Sequence, residues 1–68
     1  MEEITMGEIL EKHAGERVQL YGQIVADGIL REYFGRPYMS LLSNPHTLIP
    51  LEHGDEIRTG EKTYRLKL

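Results

Sequence analysis

The chain contains no cysteine, no tryptophan, one phenylalanine and no apolar run of membrane-spanning length. Each absence removes a class of explanation. Without cysteine there is no disulfide to reinforce a small fold and no thiolate zinc site. Without a basic start leading into an apolar segment, neither a signal peptide nor a transmembrane helix is expected, and the cytoplasm is the expected location. The net charge of −3 lacks the basic footprint that tight, nonspecific binding to duplex DNA requires. There is no HExxH, no GxGxxG, no P-loop and no nucleophile elbow. His13, His46 and His53 are the only imidazoles, and no two of them have the close spacing of a helical metal pair. His53-Gly54-Asp55-Glu56 reads as a polar turn. No catalytic residue, metal or cofactor is therefore expected, and an enzyme is not.

What remains is a single small domain of 68 residues, 40% hydrophobic and 28% charged. A chain of this size buries only about 60% of the surface it exposes when unfolded. Nearly every segment must pair, or a partner such as a second copy must supply burial. Charge is uneven along it. Residues 1–16 carry five glutamates against Lys12, residues 17–51 carry a net +1, and residues 52–68 balance to zero.

Thr5-Met6-Gly7-Glu8 has the spacing of a capping box, with Ile4 and Ile9 placed for a hydrophobic staple. Gly15 supplies a left-handed stop. These signals predict a capped N-terminal helix over 5–15, with Met6, Ile9, Leu10 and His13 on the side that must lie on a sheet. From residue 17 onward strands are expected. Val18, Leu20, Ile24 and Ala26 alternate with polar positions, and Gly22 occupies the inward slot between them. This reads as one long strand bent sharply at Gly22. Asp27-Gly28 is either a hairpin turn or a bulge within that strand; the clearer break is Phe34-Gly35-Arg36-Pro37. Further strands are expected over 38–42, over 46–51 as an edge strand containing Pro50, and in a terminal hairpin over 56–59 and 62–68 around Gly60. Tyr64, Leu66 and Leu68 should face inward.

Arg17-Val18-Gln19-Leu20-Tyr21-Gly22-Gln23-Ile24-Val25, then Gly35-Arg36-Pro37-Tyr38-Met39-Ser40-Leu41-Leu42, then Thr47-Leu48-Ile49-Pro50-Leu51, resembles the first three strands of an oligonucleotide/oligosaccharide-binding (OB) fold. The resemblance implies a mainly β chain closed into a small five-stranded barrel, with loops flanking a ligand groove. The helix precedes the first strand here, a departure from the family, and an SH3-like or Sm-like barrel fits the same pattern.

The stretch 31–38 interleaves two arginines with three aromatic rings. Rings stack on unpaired bases and guanidinium groups hold phosphates, the equipment of single-strand binding. With the expected groove this points to a module for single-stranded DNA or RNA. Arg31, Arg36, Arg58, Lys62 and Arg65 would meet phosphates, and Tyr33, Phe34 and Tyr38 would stack. The plain alternative puts Phe34 and one tyrosine in the core and leaves the arginines solvated. A second function class is a protein-interaction module, an adaptor, subunit or inhibitor docking through its acidic helix or a sheet edge.

Overall fold

The computed structural model describes residues 1–60 and 62–67. Its elements run β1 (Glu2–Thr5), α1 (Met6–His13), β2 (Arg17–Tyr21), β3 (Val25–Tyr33), β4 (Arg36–Leu41), β5 (Leu48–Pro50), β6 (Glu56–Arg58) and β7 (Thr63–Lys67).

The helix forms where its caps dictate. The Thr5 hydroxyl accepts from the Glu8 amide at 3.1 Å, and the Glu8 carboxylate accepts from the Thr5 amide at 3.2 Å. Together these satisfy amides that a helix start leaves without partners. Both donors of Thr5 favour the ionised Glu8 and lower its pKa, the backbone amide most. Gly15 adopts φ 88°. Its amide then donates to the Leu30 carbonyl at 2.7 Å, and Leu30 donates back to Glu16 at 3.0 Å. These two bonds fasten the end of the helix to β3.

The strands form one sheet in the order β1-β7-β6-β2-β3-β4-β5. All neighbours are antiparallel except β1 and β7. Alternation gives the sheet two faces. The inner face carries Ile4, Val18, Leu20, Leu30, Met39, Ile57, Tyr64 and Leu66, all buried, and Ile9 of α1 packs among them. The sheet curls around this centre. Met6, beside one edge strand, shares a cleft with Pro50 of the other.

Several expectations change. The five-stranded closed barrel, OB-like or otherwise, is not formed: among the described residues there are seven strands in an open order, and β1 does not pair with β5. The mainly β character with one short N-terminal helix holds. The bent strand through Gly22 is two strands. Gly22 lies in the turn between β2 and β3, where its amide donates to the Ile24 carbonyl at 3.1 Å, and Ile24 is half exposed. Asp27 and Gly28 are inside β3, and the pairings on both sides pass Gly28 without an extra residue, so neither the hairpin turn nor the bulge occurs there. The break expected over Phe34-Gly35-Arg36-Pro37 is confined to Phe34-Gly35, since Arg36 and Pro37 already belong to β4; β5, containing Pro50, is an edge strand. Leu68 lies outside the described residues.

Gly28 has no room for a side chain. A Cβ there would overlap the Ser40 carbonyl and approach Met39 Cγ to 2.7 Å. Gly28→Ala should therefore destabilise the domain by about 2–3 kcal/mol, the usual cost of overpacking. A urea titration should show a lower midpoint at an unchanged slope; an unmoved midpoint would contradict the close packing of β3 on β4.

Candidate functional site

The two-residue turn Phe34-Gly35 sets the register of β3 against β4. It puts Arg31 opposite Tyr38 and Tyr33 opposite Arg36. Leu30 and Met39 point inward, so these four side chains share the outer face. The result is a crossed square, with arginines on one diagonal and tyrosines on the other. Tyr33 and Tyr38 meet edge to face, with centroids 5.7 Å apart and planes at 78°. Such a pair holds each ring's orientation by about 0.5–1.5 kcal/mol beyond simple burial. Among the described residues, no ion pair or side-chain hydrogen bond engages Arg31, Arg36 or Arg58.

The remaining candidate residues are spread more widely. Phe34 is not in the core; it stands on the hairpin tip, fully exposed. The buried ring is Tyr64. Arg58 lies on the same outer face, because Ile57 beside it points inward. Gln19 stands opposite both Arg58 and Asp27, so Arg58 is level with Asp27, four residues short of Arg31. That is about 13 Å along the strands, with two strand spacings across. Arg65 is one row further away and pairs with Glu56 at 3.6 Å. Lys62 reaches Glu2 at 3.7 Å. Both contacts are exposed and loose, of the kind that contributes little to stability. The turns after β3 and β6 leave the same end of the sheet, since both strands run antiparallel to β2, but the first extends further.

Arg17 was not among the expected site residues, yet it stands on the outer face between Arg58 and Arg31. Its polar alternation with Gln19 in β2 was the signal available. Two bonds join it to Asp27, Nε to Oδ1 at 3.1 Å and Nη2 to Oδ2 at 2.6 Å. The outer face as a whole carries Arg17, Arg31, Arg36, Arg58, Arg65 and Lys67 against Glu3, Asp27 and Glu56. An acidic chain thus presents a basic sheet face, and its surplus of carboxylates lies elsewhere, chiefly on α1 and the turns.

Beside the square, β5 ends at Pro50, and past it the start of β4 is met on that side by Leu51, whose amide donates to the Pro37 carbonyl at 3.2 Å. A cleft of about 430 Å³ opens there, walled by Met6, Pro37, Tyr38, Pro50 and Leu51, with Arg36, Glu52 and His53 at its polar part. It continues the tyrosine–arginine face around the edge of the sheet. Among the described residues no three His, Asp or Glu side chains are grouped to hold a metal ion. No described helix is long and apolar enough to cross a membrane.

The Arg17 fork lowers the pKa of Asp27, first by hydrogen bonding and then by charge. A carboxyl whose pKa is depressed in the folded state stabilises the fold above its unfolded value. That contribution disappears as pH falls through the ordinary range near 4 and below. Thermal melts should therefore show stability declining from about pH 5 toward pH 2, with a shallower decline in Asp27→Asn. Identical acid limbs in the two proteins would show that the pair carries no pH-dependent stability.

Comparison with known protein families, with characterised proteins and with solved structures returns no match to this chain, so its functional reading rests on the chemistry of the outer face.

Proposed function

We propose that this chain is a non-catalytic module that binds single-stranded nucleic acid on the outer face of β3 and β4. The observation that carries the reading is the crossed square of Arg31, Tyr33, Arg36 and Tyr38, with no ion pair or side-chain hydrogen bond on either arginine among the described residues. A single strand offers what this square can hold. Its bases present flat apolar faces to Tyr33 and Tyr38, and its phosphates take the guanidinium groups on either side. Stacking tolerates any base, so the face selects unpaired strands over a particular sequence. The separation of charge supports the same ligand. A polyanion approaching the basic face meets attraction, and the acidic helix on the other side turns away the wrong approach. Arg58 and Arg17 extend the track beyond the square, and Arg65 and Lys67 lie at its far margin.

A second reading has its own observation. Val25 is 74% exposed, and Leu42, Leu48 and Tyr21 are partly exposed toward the other end of the sheet. Apolar side chains in such number are more often covered by another protein. On this reading the chain is an adaptor or subunit, and the arginines lie at the rim of the contact.

Titration of a labelled oligonucleotide separates the two. With three free arginines engaged, log K should fall with log salt at a slope of about −2. Arg31→Ala and Arg36→Ala should each reduce that slope, and Tyr33→Ala should weaken binding by about 1–3 kcal/mol. Arg65→Ala should do less than any of these. Absence of binding at low salt would overturn the nucleic-acid reading and leave the protein partner.

A further inference from the structure

Phe34 sits where its own fold gives it nothing. The turn that joins β3 to β4 places Phe34 at φ 55° and Gly35 at φ 77°. Two central residues in the left-handed region suit the twist of a hairpin, and they call for asparagine or aspartate first and glycine second. Gly35 meets that demand. Phe34 does not, because an aromatic residue with a Cβ is strained there. Among the described residues it is the one non-glycine with positive φ. Burial offsets none of the strain, since the side chain is 102% exposed. Strain at a position that contributes no packing points to work outside the fold.

The position of the ring indicates that work. β2 reaches β3 only as far as Ile29, and β5 reaches β4 only as far as Tyr38. The pairs Glu32–Pro37 and Tyr33–Arg36 therefore extend past the ladders on both sides; among the described residues only the Leu51 amide still reaches the Pro37 carbonyl, at 3.2 Å, and α1 lies against the inner side. Tyr33 stands on the outer face of this extension and Tyr38 at its base; Phe34 stands past its end. Bases stacked on the tyrosines would lead the strand toward this tip, with Arg31 and Arg36 beside it. An aromatic ring beyond the platform would meet the nucleic acid where the strand leaves the face.

Resting on the nucleic-acid reading above, we propose that the ligand is a single strand continuous with a duplex, and that Phe34 stacks on the last base pair as a wedge. The apolar side chains that proteins insert at base steps are of this kind. The tyrosine square holds the unpaired bases, and the tip recognises the place where pairing begins.

Phe34→Asn tests this without threatening the fold. It installs the residue the turn prefers, so its melting temperature should rise by about 5 °C. Three probes suffice: an unstructured oligonucleotide of about a dozen nucleotides, a blunt hairpin, and the same hairpin with a single-stranded tail. The native protein should bind the tailed hairpin about tenfold more tightly than the unstructured strand, the gain expected of one added stack. Phe34→Asn should erase that preference and leave the unstructured strand within about twofold. Equal binding of both probes by the native protein would overturn the wedge and leave the platform standing. An equal loss on both probes in Phe34→Asn would place Phe34 in the platform and also overturn it. If no probe binds at low salt, the nucleic-acid reading fails and the wedge fails with it. Binding to phosphatidylserine vesicles that Phe34→Asn abolishes would reassign the tip to a lipid surface.

Discussion

Five side chains with no exposed surface, Ile9, Leu30, Met39, Ile57 and Leu66, come from five different elements. They form the point on which the rest depends. The eight-residue helix is too short to persist alone in water. The inner face of the sheet has little else to cover it. Ile9 resolves both conditions, since its burial gives the helix a reason to form and the sheet a lid. Fully burying a side chain of this size is worth about 1.5–3 kcal/mol, a large share of what a domain of this length retains. The sheet curls because its strands must reach a single helix, and the curl makes one face the interior and leaves the other to solvent.

Local chemistry was legible before the structure; long-range pairing was not. The capping box, the glycine stop and the apolar side of α1 depend on residues within a few positions of one another. The turn near Gly35 was legible for the same reason, but the pairing of Arg31 with Tyr38 and of Tyr33 with Arg36 was not, because Arg36 reads as part of the turn and is in fact the first residue of β4. Gly22 misled for a specific reason. Val18 pairs with Gly28, and Leu20 with Ala26. Every inward residue of both strands is therefore even-numbered, so a hairpin and a continuous bent strand give the same alternation. Only turn chemistry could distinguish them, and Gly22-Gln23-Ile24 carries little of it. β1 was missed because its partner is β7, about sixty residues away, and no local pattern announces a parallel pairing. Ile4, spaced for a staple with Ile9, is buried in the same cluster as Ile9 and also lies in β1 opposite Leu66. Phe34 was opaque to composition, since in a chain without tryptophan the lone phenylalanine is the first choice for a core.

The two faces of the sheet divide the labour of a small chain. The inner face and α1 hold almost all the apolar burial. The outer face is then free to carry charge and rings that contribute little to folding. Arg17 and Asp27 are the exception, a bidentate pair in the middle of that face. They hold a fixed polar patch between Arg58 and the tyrosine square, so the basic track is interrupted near its centre and strongest at the hairpin. A ligand that binds along it contacts the hairpin first and most closely.

An open sheet has two edges, and an unguarded edge invites pairing with any passing strand. Both edges here are protected by ordinary means. β5 is three residues long and ends in Pro50, which has no amide proton to offer. β1 is four residues long and carries Glu2 and Glu3. Short length, a proline and like charges are the features by which natural sheets discourage edge-to-edge association. A partner that joined the sheet as an extra strand would have little backbone to pair with at either side. The outer face has no such protection: at its hairpin end it carries Tyr33 and Tyr38 beside Arg31 and Arg36, which among the described residues have no ion-pair partner. Because both edge strands are short and guarded, the open sheet presents side chains on its outer face and little backbone at its edges.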